Sequence, residues 1–240
     1  MWHNPPMSRR VAPSPLAENL NPAAQEIFEW ILTSDLGPGD VIPVEQDLAD
    51  RFDLARGTVR EAIRELRALG ILEVRRGKGT YLGRASASTI RPGLVYRSLK
   101  AGSGDPDGAP SGLIELASVR AMLECSLIGE VTGTLDGSTG QTLLELAARM
   151  DRPGGDPAAD RQFHQLLYAG ASNTLARELI DVFWDSFHLA QGRIPPVPVV
   201  SATRRDHEEI ARCVMGDDPE ASRRAMNHHF DAIRTRLSAS

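Results

Sequence analysis

The apolar residues between Ala55 and Gly70 recur every three or four positions, as they do on one face of an α-helix. This apolar stripe consists of Val59, Ile63, Leu66 and Leu69. Gly70 follows at the point where a helix end favours a residue that tolerates positive φ. The pattern therefore predicts an amphipathic helix that ends at about Gly70.

Basic residues occupy the other faces of this predicted helix from its first turn onward, namely Arg56, Arg60, Arg64 and Arg67. Two short β-prone runs follow and flank Gly77-Lys78-Gly79, which indicates a hairpin with a basic tip. A helix that begins with arginines and precedes a basic hairpin is typical of a winged helix-turn-helix. In that fold the helix enters the major groove of DNA and the wing contacts the backbone or the minor groove.

Two shorter helices are predicted before the arginine helix. The first begins at Asn21-Pro22, where an N-cap precedes a proline that suits the first helical turn, and Gly37-Pro38-Gly39 ends it. The second covers residues 43–52. Residues 1–20 contain four prolines and few periodic apolar positions, which predicts a disordered leader. Residues 21–83 are then predicted to form one small DNA-binding domain.

The second half of the chain has the apolar periodicity of helices almost to its end. Residues 84–111 are rich in Gly, Ser, Pro and Asp, which predicts an interdomain linker with a short helix near its middle. Six helices are predicted after it, over residues 113–131, 141–150, 157–171, 174–191, 202–215 and 219–237. Their short connections indicate an antiparallel bundle over residues 112–240. The predicted fold is mainly α, a winged helix-turn-helix followed by an all-α bundle.

Composition and charge sharpen this prediction. An apolar content of 41% is enough for two cores, and the formal net charge of −5 argues against a protein that coats nucleic acid generally. The charge is unevenly distributed, with one basic and eight acidic residues in 22–55 but eight basic and three acidic residues in 56–84. A local basic patch on an acidic chain favours selective contact with DNA.

No apolar run reaches membrane-spanning length, and the polar, proline-rich start does not resemble a signal peptide. The sequence therefore predicts a cytoplasmic protein with no membrane contact.

The two cysteines, Cys125 and Cys213, lie in apolar-periodic segments and suit reduced, buried thiols, although the sequence is also compatible with a disulfide. No glycine-rich phosphate loop, nucleophile elbow or CxxC motif is present.

Histidine and aspartate recur in the predicted bundle at spacings that suit a metal site. Asp160 and His164 are four residues apart on one helix, so both project from one face. His207 and His229 lie on the last two helices, each ten residues from the turn at Asp217–Pro219. Because both histidines are the same number of residues from the turn, their imidazoles are expected at the same height across the helical hairpin. One aspartate and three histidines converging inside a bundle suit Zn²⁺ or a similar divalent ion.

A different interpretation of these histidines competes with the metal site. A single histidine on a helix is more often exposed, or a hydrogen-bonded core residue, than a metal ligand, and His3, His188 and His228 are interpreted in this way. His228 neighbours His229, and either of the two could face the bundle interior. The residues alone support the metal site and its absence about equally.

The segment 37–82 resembles the DNA-binding domain of GntR-family bacterial transcription regulators. The shared pattern is Pro-Gly before a strand, Pro-x-Glu at the start of the second helix, Arg-x-x-Val-Arg-Glu-Ala in the third, and a glycine-rich wing. The resemblance implies DNA contacts by Gln46, Arg56, Gly57, Thr58, Arg60, Arg76, Gly77 and Lys78. The chain departs from the family at Ala55, where Ser or Thr is common, and at Gly57, where Thr is common. Both departures bear on operator preference, and Ala55 removes a helix cap.

Residues 113–237 resemble the all-helical effector domain, called FCD, of FadR-type GntR regulators. The shared signatures include Glu115, Arg120 and Glu124, Asp160-x-x-Phe163-His164 with Asn173 nine residues on, and histidines on the last two helices. The resemblance implies that the metal ligands are Asp160, His164, His207 and His229. It further implies a divalent ion, Zn²⁺ with Ni²⁺ or Mn²⁺ as alternatives, and effector binding by Arg120 and Asn173.

Arg120 has two interpretations. It lies on an otherwise apolar helix face with Glu124 one turn later, which suits a partly buried ion pair at i,i+4 spacing. Its planar guanidinium also suits the carboxylate of an effector. Both roles are compatible with one side chain.

These features predict a bacterial transcription regulator, not an enzyme, that binds a pseudo-palindromic operator as a homodimer and responds to a small organic acid at the metal. The resemblance implies that it is a repressor released by the acid. Two alternatives remain. An aspartate and three histidines also form hydrolytic and oxygenase sites, so a metal-dependent enzyme fused to a DNA-binding domain is one. A regulator with a purely structural metal is the other. The attached DNA-binding domain, and the lack of an obvious base beside the cluster, argue against the enzyme.

Overall fold

The structure, a computed structural model, describes residues 19–100, 111–151, 156–191 and 202–238. The predicted leader, apart from its last two residues, and the segment 101–110 of the predicted linker lie outside these ranges. The chain divides into two compact units, Met1–Thr89 and Ile90–Ser240. Each unit has an apolar core of its own.

The first unit has the helices and the hairpin of a winged helix-turn-helix, as predicted. Its elements are α1 (Pro22–Thr33), α2 (Glu45–Phe52), α3 (Arg56–Ala68), β1 (Leu72–Arg75) and β2 (Gly79–Leu82). The strands pair in antiparallel orientation with Arg75 opposite Gly79. In the turn between them the Lys78 amide donates to the Arg75 carbonyl at 2.9 Å, and Gly77 adopts a φ of +73°. A tight turn with a positive φ favours glycine at this position, which explains the predicted hairpin tip.

The apolar stripe of α3 packs into the core of the first unit. Three of its four predicted members, Val59, Ile63 and Leu66, are buried. Leu69 is 44% exposed, so its predicted place in the stripe is wrong; α3 ends at Ala68 and Leu69 is its C-cap. Ala55 is the N-cap and makes no side-chain capping hydrogen bond.

The described part of the second unit contains seven helices. They are α4 (Arg91–Lys100), α5 (Ser111–Val131), α6 (Gly137–Arg149), α7 (Pro157–Leu167), α8 (Thr174–Gln191), α9 (Ala202–Met215) and α10 (Pro219–Ser238). α5 packs against α10 and α8, α9 packs against α10 and α6, and α6 also packs against α7. Within the ranges that the structure covers, no helix has the length and apolarity needed to cross a membrane.

Two helix boundaries differ from the sequence prediction by four residues each, and part of the predicted linker packs into the second unit. α6 begins at Gly137 rather than at Gln141, because Asp136 caps it by accepting a hydrogen bond from the Thr139 amide at 2.7 Å. α7 ends at Leu167, four residues earlier than predicted. α4 matches the short helix predicted near the middle of the linker, but it packs against α5 and α8, so this segment contributes a helix to the second unit.

Candidate metal centre and DNA-contact residues

Three buried histidines from three helices meet inside the second unit. His164 of α7, His207 of α9 and His229 of α10 offer ring nitrogens that all lie within 4.8 Å of one another. Asp160, one turn before His164, places Oδ1 3.0 Å from His207 Nε2 and 3.3 Å from His164 Nε2. The structure therefore brings together all four predicted ligands, here called the Asp–His cluster.

The spacing within the Asp–His cluster suits a bound metal ion. A tetrahedral ion with bonds of about 2.0–2.1 Å holds its ligand atoms about 3.3 Å apart. The Nε2 atoms of His164 and His207 are 3.4 Å apart, close to this value. His229 Nδ1 is buried and has no hydrogen-bond partner among the described residues, so this ring nitrogen has bonding capacity left over. Nitrogen donors with one carboxylate oxygen suit Zn²⁺ and similar divalent ions.

The helical hairpin of α9 and α10 sets the height of two of the rings. Asp218 caps α10 by accepting hydrogen bonds from the Glu220 and Ala221 amides, so the turn is short. The ring centroids of His207 and His229 lie 4.5 Å apart, as expected for two residues at equal distances from the turn. His229 is buried and His228 is exposed, because adjacent helical residues point about 100° apart. Of the two neighbouring histidines, the structure therefore places His229 in the interior of the second unit.

A buried chain of polar groups orients His164. Glu124 of α5 places Oε2 2.5 Å from His164 Nδ1, and its Oε1 accepts a hydrogen bond from Arg120 Nε at 3.0 Å. A carboxylate on the far nitrogen of a histidine fixes the ring and its tautomer, a common arrangement behind metal ligands. Here it directs Nε2 of His164 towards the rest of the cluster. Sequence analysis paired Glu124 with Arg120 but missed its contact with His164, which depends on how α5 and α7 pack.

The protonation of the cluster follows from these contacts. Burial opposes charge on His164, but Glu124 and Asp160 outweigh it and raise the His164 pKa to about 9. Burial also opposes charge on Asp160, yet its hydrogen bonds with His164 and His207 hold the pKa of that carboxyl well below its usual range. Burial and the neighbouring histidines lower the pKa of His229 well below its ordinary value. A protonated His164 therefore lies beside an ionised Asp160 carboxylate and a neutral His229 ring.

Two residues beside Asp160 were missed by the sequence analysis. Trp184 of α8 donates a hydrogen bond from Nε1 to Asp160 Oδ2 at 3.1 Å. His188 places Nε2 3.6 Å from the same oxygen, and its Nδ1 lies 3.0 Å from the Trp184 carbonyl, as suits the hydrogen-bonded residue that it was predicted to be. The two rings stack with centroids 3.6 Å apart. Their i,i+4 spacing marks a shared helix face, but only the packing of α8 against α7 shows that this face meets Asp160.

The two residues predicted to bind the effector lie in different surroundings. Arg120 is buried and forms the predicted ion pair with Glu124. Its Nη2 lies 3.0 Å from Glu124 Oε1 without the alignment of a hydrogen bond, so this group retains a donor. Asn173 is exposed at the start of α8, where its Oδ1 accepts a hydrogen bond from the Ala176 amide at 3.0 Å. This contact gives Asn173 a capping role, and its part in effector binding stays a prediction.

The predicted DNA-contact residues lie on α2, on the first turns of α3 and at the hairpin tip. Seven of them are exposed, namely Arg56, Gly57, Thr58, Arg60, Arg76, Gly77 and Lys78. Gln46 is partly buried and donates to Asp50 Oδ1 at 2.6 Å. Nothing lies within 4 Å of the place that a Cβ on Gly57 would occupy, so this side of α3 is open. The Arg60 guanidinium pairs with Glu45 of α2 at 2.8 Å, and their hydrogen bond lowers the pKa of Glu45.

Comparison with known proteins covers both units. The sequence profile described as bacterial regulatory proteins, gntR family, matches residues 21–82, and that of the FCD domain matches residues 115–232. The Uxu operon transcriptional regulator of Escherichia coli strain K12 is 25% identical over 230 residues, which cover 88% of this chain and 83% of that protein. The transcriptional repressor NanR of Citrobacter rodentium is 24% identical over 217 residues, covering 87% and 81%. Among solved structures, Streptococcus agalactiae GntR is 26% identical, covers 89% of this chain and 97% of its own, and superposes with a TM-score of 0.58.

Proposed function

Since the chain belongs to the GntR family of bacterial transcription regulators and carries an FCD effector domain, we propose that it is a repressor controlled by a small organic acid. The observation that carries this proposal is the convergence of three buried histidines in that domain, with Asp160 beside two of them. The matched families and relatives are transcription regulators, so the alternative of a fused metal-dependent enzyme is set aside.

The first unit supplies the DNA contacts. The start of α3 enters the major groove, where Arg56 and Arg60 can each make two parallel hydrogen bonds to a guanine edge. Gly57 and Thr58 share that first turn, and Gln46 of α2 contacts the operator beside it. At the wing, Arg76 and Lys78 contribute positive charge to phosphates, and Gly77 lets the backbone come close.

The second unit supplies the effector site. A divalent ion held by the Asp–His cluster, Zn²⁺ with Ni²⁺ or Mn²⁺ as alternatives, would offer a coordination position to a carboxylate oxygen. Arg120 Nη2 keeps an unused donor in the buried interior, which suits an anionic ligand. Asn173 is retained as a further candidate contact. Differential binding of the acid to two arrangements of the protein would then change the affinity for DNA.

Assembly and direction of control complete the proposal. One protomer provides one recognition helix, so a homodimer is proposed to read the two halves of a pseudo-palindromic operator. The protein would work in the cytoplasm, where the operator is. The matched NanR is named a repressor, which supports repression. Relief of that repression by the acid is part of the proposal.

A purely structural metal is the second candidate for the Asp–His cluster. His164, His207 and His229 are all buried, and closed sites of this kind hold metal ions that only stabilise a fold. In that case removing the ion would lower stability, and no organic acid would change DNA binding.

The test combines metal content, ligand binding and DNA binding. An operator is first selected from randomised DNA by repeated enrichment on the purified full chain. Zn²⁺-loaded and chelator-stripped protein are then screened with mono- and dicarboxylic acids by thermal shift, with the primary amide of each acid as control. We expect an acid, but not its amide, to stabilise only the loaded protein and to weaken operator binding in fluorescence anisotropy. Metal-dependent stability without any response to acids would favour the structural metal instead.

A further inference from the structure

The two carboxylate oxygens of Asp160 have different partners. Oδ1 faces the Nε2 atoms of His207 and His164 at 3.0 and 3.3 Å. Oδ2 points the other way and accepts a hydrogen bond from Trp184 Nε1 at 3.1 Å. His188 Nε2 lies 3.6 Å from Oδ2, on the same side as Trp184. Oδ1 therefore contacts the histidines of the cluster, and Oδ2 contacts side chains of α8.

Trp184 is held firmly in the position from which it donates this bond. Its side chain is largely buried, and its ring stacks on His188 with an interplanar angle of 18°. The guanidinium of Arg161 lies 5.7 Å from the ring centroid and is itself paired with Asp185 at 3.0 Å. These contacts fix the direction of the indole N–H.

The chemistry of indole gives this hydrogen bond a definite consequence. Nε1 of tryptophan is a donor only, so it can hold a carboxylate oxygen but cannot replace it as a metal ligand. A hydrogen bond to a carboxylate is charge-assisted, and so it is stronger than one between neutral groups. An oxygen that accepts it is turned away from the cluster, and only the other oxygen is presented there.

We propose that Trp184 is a positioning residue that restricts Asp160 to one metal-binding oxygen, Oδ1. The inference rests on the proposed metal centre and goes beyond it, because it assigns separate roles to the two oxygens. A carboxylate that binds through one oxygen takes up one coordination position instead of two. On a bound ion, Trp184 would thereby leave a coordination position for a further ligand.

The test replaces the indole while keeping an aromatic ring. Trp184→Phe removes the N–H donor, and Trp30→Phe makes the same change in the first unit and serves as the matched control. Zn²⁺ affinity is measured by competition with a chelator, and Co²⁺ is used as a probe because its visible absorption reports coordination number. We expect Trp184→Phe to weaken Zn²⁺ binding by about 10–100-fold, the usual effect of losing an outer partner of a metal ligand, and to alter the Co²⁺ spectrum. Trp30→Phe should match the parent protein in both measurements.

A second measurement tests the folded parent protein directly. In ¹⁵N-labelled protein, the indole signal absent from Trp184→Phe should stay protected from solvent exchange when Zn²⁺ is added, because the bond to Oδ2 persists. Loss of that protection, or Trp184→Phe with parental Zn²⁺ affinity and Co²⁺ spectrum, would overturn the positioning role alone. A parent protein that binds neither ion would overturn the metal centre, and this inference with it. The melting temperature of each metal-free variant shows whether the substitution damages the fold itself.

Discussion

Two arginine–glutamate pairs show how differently the two units use the same chemistry. In the DNA-contact surface, Arg60 and Glu45 pair with side chains that are 54% and 38% exposed. Behind the metal centre, Arg120 and Glu124 pair with side chains that are 3% and 0% exposed. Water competes for the first pair but is excluded from the second. The exposed pair is free to exchange partners, as the proposed DNA contact of Arg60 requires, whereas the buried pair fixes its neighbours in place.

The largest difference should appear when the glutamate of each pair is replaced by glutamine. Glu124→Gln leaves the buried charge of Arg120 without its partner, which typically costs about 3–5 kcal/mol of folding free energy. Glu45→Gln breaks an exposed pair, which is worth about 1 kcal/mol or less. Urea denaturation of the metal-free proteins measures both losses. Equal losses would mean that exposure does not separate these two pairs.

The metal centre should also contribute to stability. His207→Ala should lose the single divalent ion expected per chain, and with it about 3 kcal/mol of stabilisation when the free ion is at 100 times its dissociation constant. His228→Ala should keep the ion, because its side chain is exposed. Both variants should still bind the operator, since the first unit has a core of its own. Elemental analysis and melting curves with added Zn²⁺ check this, and metal retained in His207→Ala would contradict the assigned ligands.

The pH dependence separates the buried cluster from the exposed surface. The raised pKa of His164 means that its proton stabilises the metal-free fold fully below about pH 6.5, and that this stabilisation is lost as pH rises through about 9. A metal ion must displace this proton from Nε2. Apparent Zn²⁺ affinity should therefore rise by up to about tenfold per pH unit across that window, after correction for the chelator. A flat profile between pH 6.5 and 9 would show that His164 is not protonated there.

Base reading should depend on single side chains of the exposed surface. Arg56→Ala or Arg60→Ala should weaken operator binding by about 1–3 kcal/mol and relax sequence preference at one position. Arg64→Ala is the matched control, because Arg64 pairs with Glu61 on its own helix and is not predicted to touch DNA. Anisotropy with the selected operator measures the change. Parental affinity in both test variants would remove the start of α3 as the reading element.

The smallest effect is expected at the wing. Neutralising Arg76 or Lys78 with Gln should lower affinity similarly for operator and unrelated DNA. Each change should reduce the slope of log affinity against log salt by about one, as expected for a lost phosphate contact. Titrations at several salt concentrations test this. A loss confined to the operator would instead indicate base reading by the wing.

Local patterns predicted the parts of the site that depend on one helix or one short turn. The i,i+4 pairs Asp160–His164 and Arg120–Glu124 need only helical geometry. The facing rings of His207 and His229 need only a short turn between α9 and α10. The sequence left His228 and His229 unresolved until a family resemblance was used, because the interior face of α10 is not marked by composition alone.

Contacts between helices that are distant in the chain could not be read in this way. The roles of Glu124 behind His164 and of Trp184 behind Asp160 depend on how α5 and α8 pack against α7, which no periodicity specifies. The start of α6 was missed because Gly137 and Gly140 have weak helix propensity, and the cap at Asp136 outweighs it. A short helix was predicted near the middle of residues 84–111, where α4 lies, but its packing against α5 and α8 could not be read from a composition that suggested a linker.

The position of α4 shortens the connection that follows the wing. A free connection over residues 84–111 could extend by about 90–100 Å. α4 instead begins at Arg91, which pairs with Asp185 at 2.8 Å, so only residues 83–90 separate it from β2. Gly83 and Ala85 donate hydrogen bonds to Ile71 and Gly70 of the first unit, which shortens the free span further. Eight residues extend at most about 26–29 Å. A dimer built on such short tethers would tolerate little variation in the spacing between operator half-sites.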